Sequence, residues 1–224
     1  MAINNIVDES FIINQKKLKQ FGDRCSNVKI GIMGGTFDPI HYAHLATAEF
    51  IRDNYKLDKI LFIPSGNPPH KKGNITDKYD RYNMVLLSTV NNDDFIVSDI
   101  EIKREKSTYT IDTLKVLKQI YKNAEIYFIT GADAICDIET WKDVEGNFKL
   151  ANFIAATRPG ISLLKIKELK DKYNANIESV YVPSLDISST YIREQLNKHK
   201  TIRYLVPELV QEYIYNKKLY SSGE

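Results

Sequence analysis

Short apolar runs alternate with amphipathic segments along most of this chain. Six runs have the length of a buried strand, and they stand at 28–33, 59–64, 94–100, 125–130, 152–157 and 178–183. Several of them carry apolar residues at consecutive positions, which is typical of strands that are covered on both faces. The runs therefore predict a sheet that is buried on both sides.

Segments with a helical spacing of apolar residues fall between and after these runs. They span 45–55, 79–90, 111–121, 163–173, 191–196 and 207–215. An alternation of strands and helices builds a mostly parallel sheet, because right-handed crossovers return the chain to the same edge direction. We therefore predict a doubly wound, Rossmann-like α/β fold that forms a single domain over residues 28–224, with a small helical part at its C-terminal end.

The first 27 residues precede the first predicted strand and form an N-terminal extension in this interpretation. Their sequence is compatible either with a helix or with a flexible segment. A phosphate site that is built from later loops should not depend on them. We therefore expect removal of residues 1–25 to change turnover by no more than about a few-fold.

The composition narrows the functional classes. The chain has 224 residues, of which 43% are hydrophobic and 27% charged, as in ordinary globular proteins. Its 31 basic and 29 acidic residues are interspersed, which argues against nucleic-acid binding. No run approaches the ~20 apolar residues of a membrane span, and the N-terminus lacks a signal-peptide core, so we expect a cytoplasmic protein. Cys25 and Cys136 are far apart, and we expect reduced, inert thiols.

The segment GGTFDPIHYAH, at 34–44, directly follows the first predicted strand. Gly34 and Gly35 allow backbone N–H groups to approach a phosphate, and Pro39 stiffens the turn into the next helix. His41 and His44 are three residues apart, so they project to one side of the first helical turn, near the positive end of its dipole. This pattern indicates an anion site. It matches neither the P-loop nor GxGxxG, and no third zinc ligand stands nearby.

A second candidate phosphate site is DISSTYIREQL, at 186–196. Ser188, Ser189 or Thr190 would cap a helix whose free N–H groups suit an anion. Arg193 adds a positive charge with bidentate geometry. Taken alone, the segment also has the composition of an ordinary helix start.

Together the two segments resemble the HxGH and ISSTxxR motifs of the nucleotidyltransferase superfamily, with Ala43 where glycine is usual. The resemblance implies a nucleotidyltransferase type of α/β fold and catalytic roles for His41, His44 and Arg193. The ATP-binding residues that it implies are Gly34, Gly35, Thr36, Phe37, His41, His44, Gly131, Asp133, Arg158, Ser188, Ser189 and Arg193.

Segments between the two motifs resemble the nicotinate-nucleotide adenylyltransferase branch of that superfamily. They are IPSGNPPHK, STYTIDTL, TGADAICDIETWKD and TRPG, and the closing helix LVPELVQEYIYNKKLY is also similar. The resemblance runs from about Lys29 to Tyr220. It implies that the mononucleotide contacts His70, Lys71, Tyr109, Thr110 and Trp141.

The activity implied is transfer of AMP from ATP to nicotinate mononucleotide in NAD biosynthesis, giving a dinucleotide and pyrophosphate. The substrates would be the partners, magnesium would travel with ATP, and no metal site made only of protein groups is expected. Asp38 would be either an outer partner of the magnesium or a turn residue. The oligomeric state stays open, with a homo-oligomer among the alternatives.

Three other hypotheses remain at this level. A sister adenylyltransferase would use another acceptor, such as nicotinamide mononucleotide or phosphopantetheine. A non-catalytic nucleotide-binding module would bind ATP without turnover, but it should lack a phosphate-handling residue. A Rossmann oxidoreductase is disfavoured because GxGxxG and its downstream acidic residue are absent after the first strand.

Overall fold

The computed structural model describes residues 3–22, 26–68, 75–157, 163–183 and 185–220. Within these ranges no helix is both long enough and apolar enough to span a bilayer.

The predicted strands form one parallel sheet. Its strands are β1 (Ser26–Gly35), β2 (Lys59–Pro64), β3 (Phe95–Val97), β4 (Asn123–Gly131), β5 (Asn152–Thr157) and β6 (Ile177–Tyr181). Their order is β3-β2-β1-β4-β5-β6, and in the middle of the sheet Ile32 pairs with Leu61 on one side and Phe128 on the other. This confirms the doubly wound α/β prediction. The direction of winding reverses between β1 and β4, so a crevice opens at their carboxyl ends.

Nine α-helices surround the sheet in the described ranges. They are α1 (Ile3–Gly22), α2 (Tyr42–Tyr55), α3 (Lys78–Thr89), α4 (Thr110–Ile120), α5 (Ala132–Cys136), α6 (Val144–Leu150), α7 (Leu164–Tyr173), α8 (Ser189–Asn197) and α9 (Glu208–Asn216). The six helices predicted from apolar spacing correspond to α2, α3, α4, α7, α8 and α9. The short helices α5 and α6 were not predicted, because one or two turns are too short to establish a helical period.

Two apolar clusters cover the two faces of the sheet. Alternate residues of β1 belong to different clusters: Met33 packs towards α2, α3, α8 and α9, whereas Ile32 packs towards α4 to α7. This explains the uninterrupted apolar runs of the central strands, since both faces are buried.

Helix α1 covers the outer edge of β3. The Asn14 side-chain amide donates to the Val97 carbonyl at 2.9 Å, and the Val97 N–H donates to Asn14 Oδ1 at 2.8 Å. Lys17 Nζ donates to the carbonyls of Val90 and Asn92, beyond the end of α3, at 3.0 and 2.8 Å. Of the two states that the sequence left open for this segment, the structure shows a helix that is docked on the sheet edge.

Candidate active site

Two cavities open beside each other in the crevice between β1 and β4. The larger has a volume of about 520 Å³ and the smaller about 200 Å³. Both are lined by Gly34, near the end of β1, and by Thr130, near the end of β4. Two ligands that filled these cavities would therefore meet at the point where the sheet reverses its winding.

The larger cavity gathers residues from both predicted phosphate motifs. It is lined by Met33, Gly34, His41, Ala43, His44, Thr47, Ile129, Thr130, Gly131, Ala132, Asp133, Ala156, Thr157, Val182, Pro183, Leu185, Ile187, Ser188 and Ser189. Seven of these were predicted as ATP-binding residues: Gly34, His41, His44, Gly131, Asp133, Ser188 and Ser189.

The smaller cavity combines the end of the first motif with the start of α4 and with the tryptophan. It is lined by Ile32, Gly34, Gly35, Thr36, Ile63, Ser65, Glu101, Thr108, Thr110, Thr113, Phe128, Thr130 and Trp141. Two predicted mononucleotide-binding residues, Thr110 and Trp141, are among them. Gly35 and Thr36, predicted on the ATP side, line this cavity instead of the larger one.

The other predicted site residues fall into two groups. Phe37, Tyr109 and Arg193 are described but line neither cavity. His70, Lys71 and Arg158 lie outside the described residues. The roles of both groups therefore stay predictions.

The histidine pair is held in a defined arrangement at the start of α2. His41 is the N-cap, with an extended backbone, and the two imidazole rings stack with 3.7 Å between their centroids. The His41 backbone N–H donates to His44 Nδ1 at 3.3 Å. Because Nδ1 is the acceptor, the His44 ring carries a proton on Nε2. His44 can therefore donate a hydrogen bond from Nε2.

His41 is buried, with 5% of its surface exposed, yet it lines the larger cavity. Burial lowers the pKa of its imidazole to about 4, so the ring is neutral near pH 7. Its Nδ1 has no hydrogen-bond partner among the described residues. A buried polar atom without a partner at a cavity wall is suited to bind a ligand.

The Phe37 ring packs against the His44 ring. The Phe37 backbone has a φ of 50°, in the left-handed region that non-glycine residues rarely adopt. Its ring meets the His44 ring edge to face, with 5.1 Å between the centroids. Since Phe37 is 3% exposed, it fixes the orientation of His44 without itself lining a cavity.

The second motif is bound directly to the first. Ser188 caps α8 by accepting the Tyr191 N–H at 3.1 Å. The hydroxyl of Ser189 donates to the Pro39 carbonyl at 2.8 Å, and Arg193 Nη1 donates to the Asp38 carbonyl at 2.7 Å. Two motifs that lie about 150 positions apart in sequence therefore form one site.

One wall of the smaller cavity is aromatic. Trp141 meets Phe128 edge to face, with 6.0 Å between the ring centroids, and Thr110 is the first residue of α4. Tyr109, the N-cap of α4, lies under the Lys142 ammonium at 4.6 Å from its ring centroid. The wall therefore joins a flat ring with a helix start that presents N–H donors.

Two buried charged residues near these cavities were missed by sequence reasoning. Arg81 is 1% exposed, and its guanidinium donates to the carbonyls of Thr36 and Gly66. Glu101, in the wall of the smaller cavity, has a pKa that burial raises. Arg81 did carry a signal: it stands one helical turn before the buried Val85, where the pattern expects an apolar residue. No comparable signal marked Glu101.

Comparison with known proteins supports a common origin. A family model described as cytidylyltransferase-like matches residues 32–195. The chain is 53% identical over 203 residues to a probable nicotinate-nucleotide adenylyltransferase of Thermoanaerobacter sp. (strain X514), covering 88% of this chain and 96% of that protein. A Clostridium tetani protein of the same name is 43% identical over 197 residues, covering 86% of this chain and 98% of that protein.

Solved structures give the same result. The nicotinic acid mononucleotide adenylyltransferase of Plasmodium falciparum, complexed with NaAD, is 27% identical and matches with a TM-score of 0.74. The match covers 87% of this chain and 98% of that one. The same enzyme complexed with APC matches with a TM-score of 0.71.

Proposed function

The chain belongs to the cytidylyltransferase-like family and, within it, to the nicotinate-nucleotide adenylyltransferases, and on this basis we propose how its two cavities share the reaction. The enzyme transfers the AMP part of ATP to nicotinate mononucleotide, which forms nicotinate adenine dinucleotide and releases pyrophosphate. The observation that supports our division of the site is the contact of the two cavities at Gly34 and Thr130.

In this proposal ATP occupies the larger cavity and the pyridine ring of the mononucleotide occupies the smaller one. A volume of about 520 Å³ is in the range of small-molecule pockets, and about 200 Å³ suits a single ring with its substituent. Gly34 has no side chain at the junction, so a phosphate can approach the backbone there. The α-phosphate of ATP and the 5′-phosphate of the acceptor would then meet above Gly34.

The reaction is an in-line displacement at phosphorus. An oxygen of the mononucleotide 5′-phosphate forms a bond to the α-phosphorus of ATP while the bond from that phosphorus to the oxygen bridging to the β-phosphate breaks. The attacking phosphate is already ionised near neutral pH, so no enzyme nucleophile or general base is required. The protein contributes alignment and stabilisation of developing charge.

We assign the α-phosphate to His41 and His44. The His44 tautomer provides an Nε2–H donor, and both histidines lie at the positive end of the dipole of a 14-residue helix. The low pKa of His41 keeps it neutral before ATP binds, so it can donate a hydrogen bond without holding a buried charge in the free protein.

We assign the departing pyrophosphate to the start of α8. Ser188 and Ser189 line the larger cavity, and Arg193 lies on the same short helix. One amino group of Arg193 is bound to the Asp38 carbonyl, while its charge remains to attract phosphate. Asp133, Gly131 and Arg158 are proposed on the adenosine side.

We assign the nicotinate ring to Trp141 and its carboxylate to the Thr110 hydroxyl and the first N–H groups of α4. Stacking on an aromatic face favours a positively charged pyridinium. A carboxylate only accepts hydrogen bonds, whereas an amide also presents an NH₂ group that would face donors. Tyr109, His70 and Lys71 are proposed to hold the rest of the mononucleotide.

We propose that magnesium binds together with ATP. The described residues contain no group of three His, Cys, Asp or Glu side chains that could hold a metal ion. In this proposal the ion keeps several waters and binds mainly through substrate phosphates. Asp133 offers a carboxylate in the wall of the larger cavity, whereas Asp38 is occupied by Tyr220. When bound, the ion would neutralise charge on the phosphates.

The test is a panel of acceptors with ATP and magnesium, with pyrophosphate release and dinucleotide formation measured together. Nicotinate mononucleotide should be preferred over nicotinamide mononucleotide by at least about tenfold in kcat/KM. Equal rates with the acid and the amide would overturn the assignment of the smaller cavity. Turnover with phosphopantetheine, but with neither mononucleotide, would indicate a different acceptor.

A further inference from the structure

Arg81 is the largest fully buried side chain of the described residues, and three backbone carbonyls bind it. Its Nε donates to the Thr76 carbonyl at 2.9 Å, Nη1 donates to that of Thr36 at 2.7 Å, and Nη2 donates to that of Gly66 at 3.0 Å. Burying a cation is unfavourable unless each donor is satisfied. The planar fork of a guanidinium satisfies several acceptors at fixed angles, which a lysine cannot do.

Two of these carbonyls, those of Thr36 and Gly66, belong to the segments that we assign to the two substrates. Thr36 follows β1 and continues into the histidine motif, and Gly66 follows β2. The two segments also touch directly, because the Ser65 N–H donates to the Gly35 carbonyl at 2.8 Å. Arg81 therefore connects the nucleotide loop with the loop that leads towards the acceptor.

Gly66 is held from its other side by Glu101. A Cβ at position 66 would collide with the Glu101 backbone carbonyl, so the two segments pack at a distance that only glycine allows. The Glu101 carboxyl accepts the Thr113 hydroxyl at 2.7 Å. The Gly66 peptide thus lies between the buried Arg81 guanidinium and the backbone of the buried Glu101.

We propose that Arg81 is a positioning residue for adenylyl transfer, which sets the distance between the loop after β1 and the loop after β2. The proposal rests on the function described above, because it requires two substrates that must be aligned. Arg81 touches neither cavity and acts through Thr36 and Gly66.

Its effect should fall on the chemical step. A misplacement of about 1 Å between two reactants can lower the rate about 100-fold while leaving each binding site intact. We therefore expect Arg81→Lys to lower kcat by roughly 100-fold, with the KM of each substrate changed by less than about threefold. A purely structural role would instead lower the melting temperature and leave the kcat of the folded enzyme near normal.

The experiment compares Arg81→Lys and Arg81→Ala with Met84→Ala, a matched control on the same face of α3. Met84 is fully buried and packs in the core, so its loss should destabilise the fold without loosening the loops. Steady-state rates are measured well below the melting temperature of each variant. Added guanidinium ions at low concentration should restore part of the kcat of Arg81→Ala, but not that of Met84→Ala.

A second readout does not depend on the acceptor. Amide hydrogen exchange at Ser65, whose N–H joins the start of the loop after β2 to the last residue of β1, should accelerate in Arg81→Lys and remain slow in Met84→Ala. Wild-type kcat in Arg81→Lys, or unchanged exchange at Ser65, would overturn the proposal. Failure of the proposed function would look different, because the wild-type chain would then form no dinucleotide from nicotinate mononucleotide while the exchange difference persisted.

Discussion

The hydroxyl of Tyr220 donates a 2.7 Å hydrogen bond to Asp38 Oδ1, across 182 positions of the sequence. Asp38 is 4% exposed, and its backbone carbonyl accepts Arg193 Nη1. The residue therefore joins the nucleotide loop both to α8 and to the end of the described chain. Of the two roles left open for Asp38 by the sequence, these contacts support that of a structural turn residue.

Tyr220→Phe should destabilise the fold and weaken the use of ATP. The change leaves a buried carboxylate without one of its donors, which costs about 1–3 kcal/mol. Denaturant unfolding gives the stability, and titration of ATP at saturating mononucleotide gives its KM. Tyr215→Phe is the matched control, because Tyr215 is exposed on α9. If Tyr220→Phe unfolds like the wild type, the hydrogen bond to Asp38 contributes nothing measurable.

Replacements of His44 should show which of its two ring nitrogens donates a hydrogen bond to the transition state. His44→Ala should lower kcat by about 100- to 1000-fold with the fold intact, since one donor to the transition state is lost. The amide nitrogen of glutamine lies near the position of Nε2, and that of asparagine near Nδ1. Single-turnover rates should therefore be higher for His44→Gln than for His44→Asn. The reverse order would show that Nδ1 carries the donor.

Stability should fall in acid because of His41. Burial lowers its folded pKa from 6.5 to about 4, so the unfolded chain binds a proton that the folded chain does not. The contribution is complete above about pH 6.5 and is lost progressively as the pH falls towards 4, and the loss amounts to about 2 kcal/mol at about pH 5.

Unfolding of the wild type, His41→Gln and His199→Gln at neutral pH and at about pH 5 measures this loss. His41→Gln should lose less stability between the two pH values than the wild type does. His199 is exposed, so His199→Gln should behave like the wild type. Equal pH dependence in all three chains would mean that His41 is not buried as a neutral ring.

The preference between the two mononucleotides should respond differently to substitutions of Thr110 and of Trp141, which both line the smaller cavity. Thr110→Val removes a hydroxyl donor, so the preference for nicotinate over nicotinamide mononucleotide should shrink by about tenfold while ATP use stays the same. Trp141→Ala removes a stacking surface, so kcat/KM should fall for both mononucleotides alike. A loss confined to ATP in either variant would contradict the division of the site.

Helix α1 should be required for stability, although the sequence led us to expect that residues 1–25 are dispensable for turnover. Asn14→Ala would leave the N–H and the carbonyl of Val97 unpaired at a covered sheet edge, at about 1–3 kcal/mol for each group. Denaturant unfolding compares this variant with Asn5→Ala, which alters an exposed position of the same helix. Equal stabilities would show that α1 does not protect the edge of β3.

The strands, most of the helices and the type of chemistry are predictable from the amino-acid sequence by itself. Each strand contains an apolar run, and in central strands such as β2 the apolar residues are adjacent because both faces of the sheet are buried. The proposed anion site could also be predicted from the sequence, because Gly34, His41 and His44 lie within a single strand exit and helix start.

Only the tertiary structure shows the contacts between segments that are distant in sequence. An alternation of strands and helices does not reveal which strand is central or where the winding reverses. It therefore could not predict that Gly34 and Thr130 join two cavities, or that Ser189 binds Pro39.

The same limit explains why the docking of α1 and the contacts of Arg81 and Tyr220 could not be predicted from the sequence. Asn14 meets its partner 83 positions away, and Arg81 is satisfied by backbone carbonyls, which every residue type possesses. A hydrogen bond to a carbonyl leaves no pattern at the accepting residue. Such contacts depend on where the backbone passes in space, and local hydrophobic periodicity carries no information about that path.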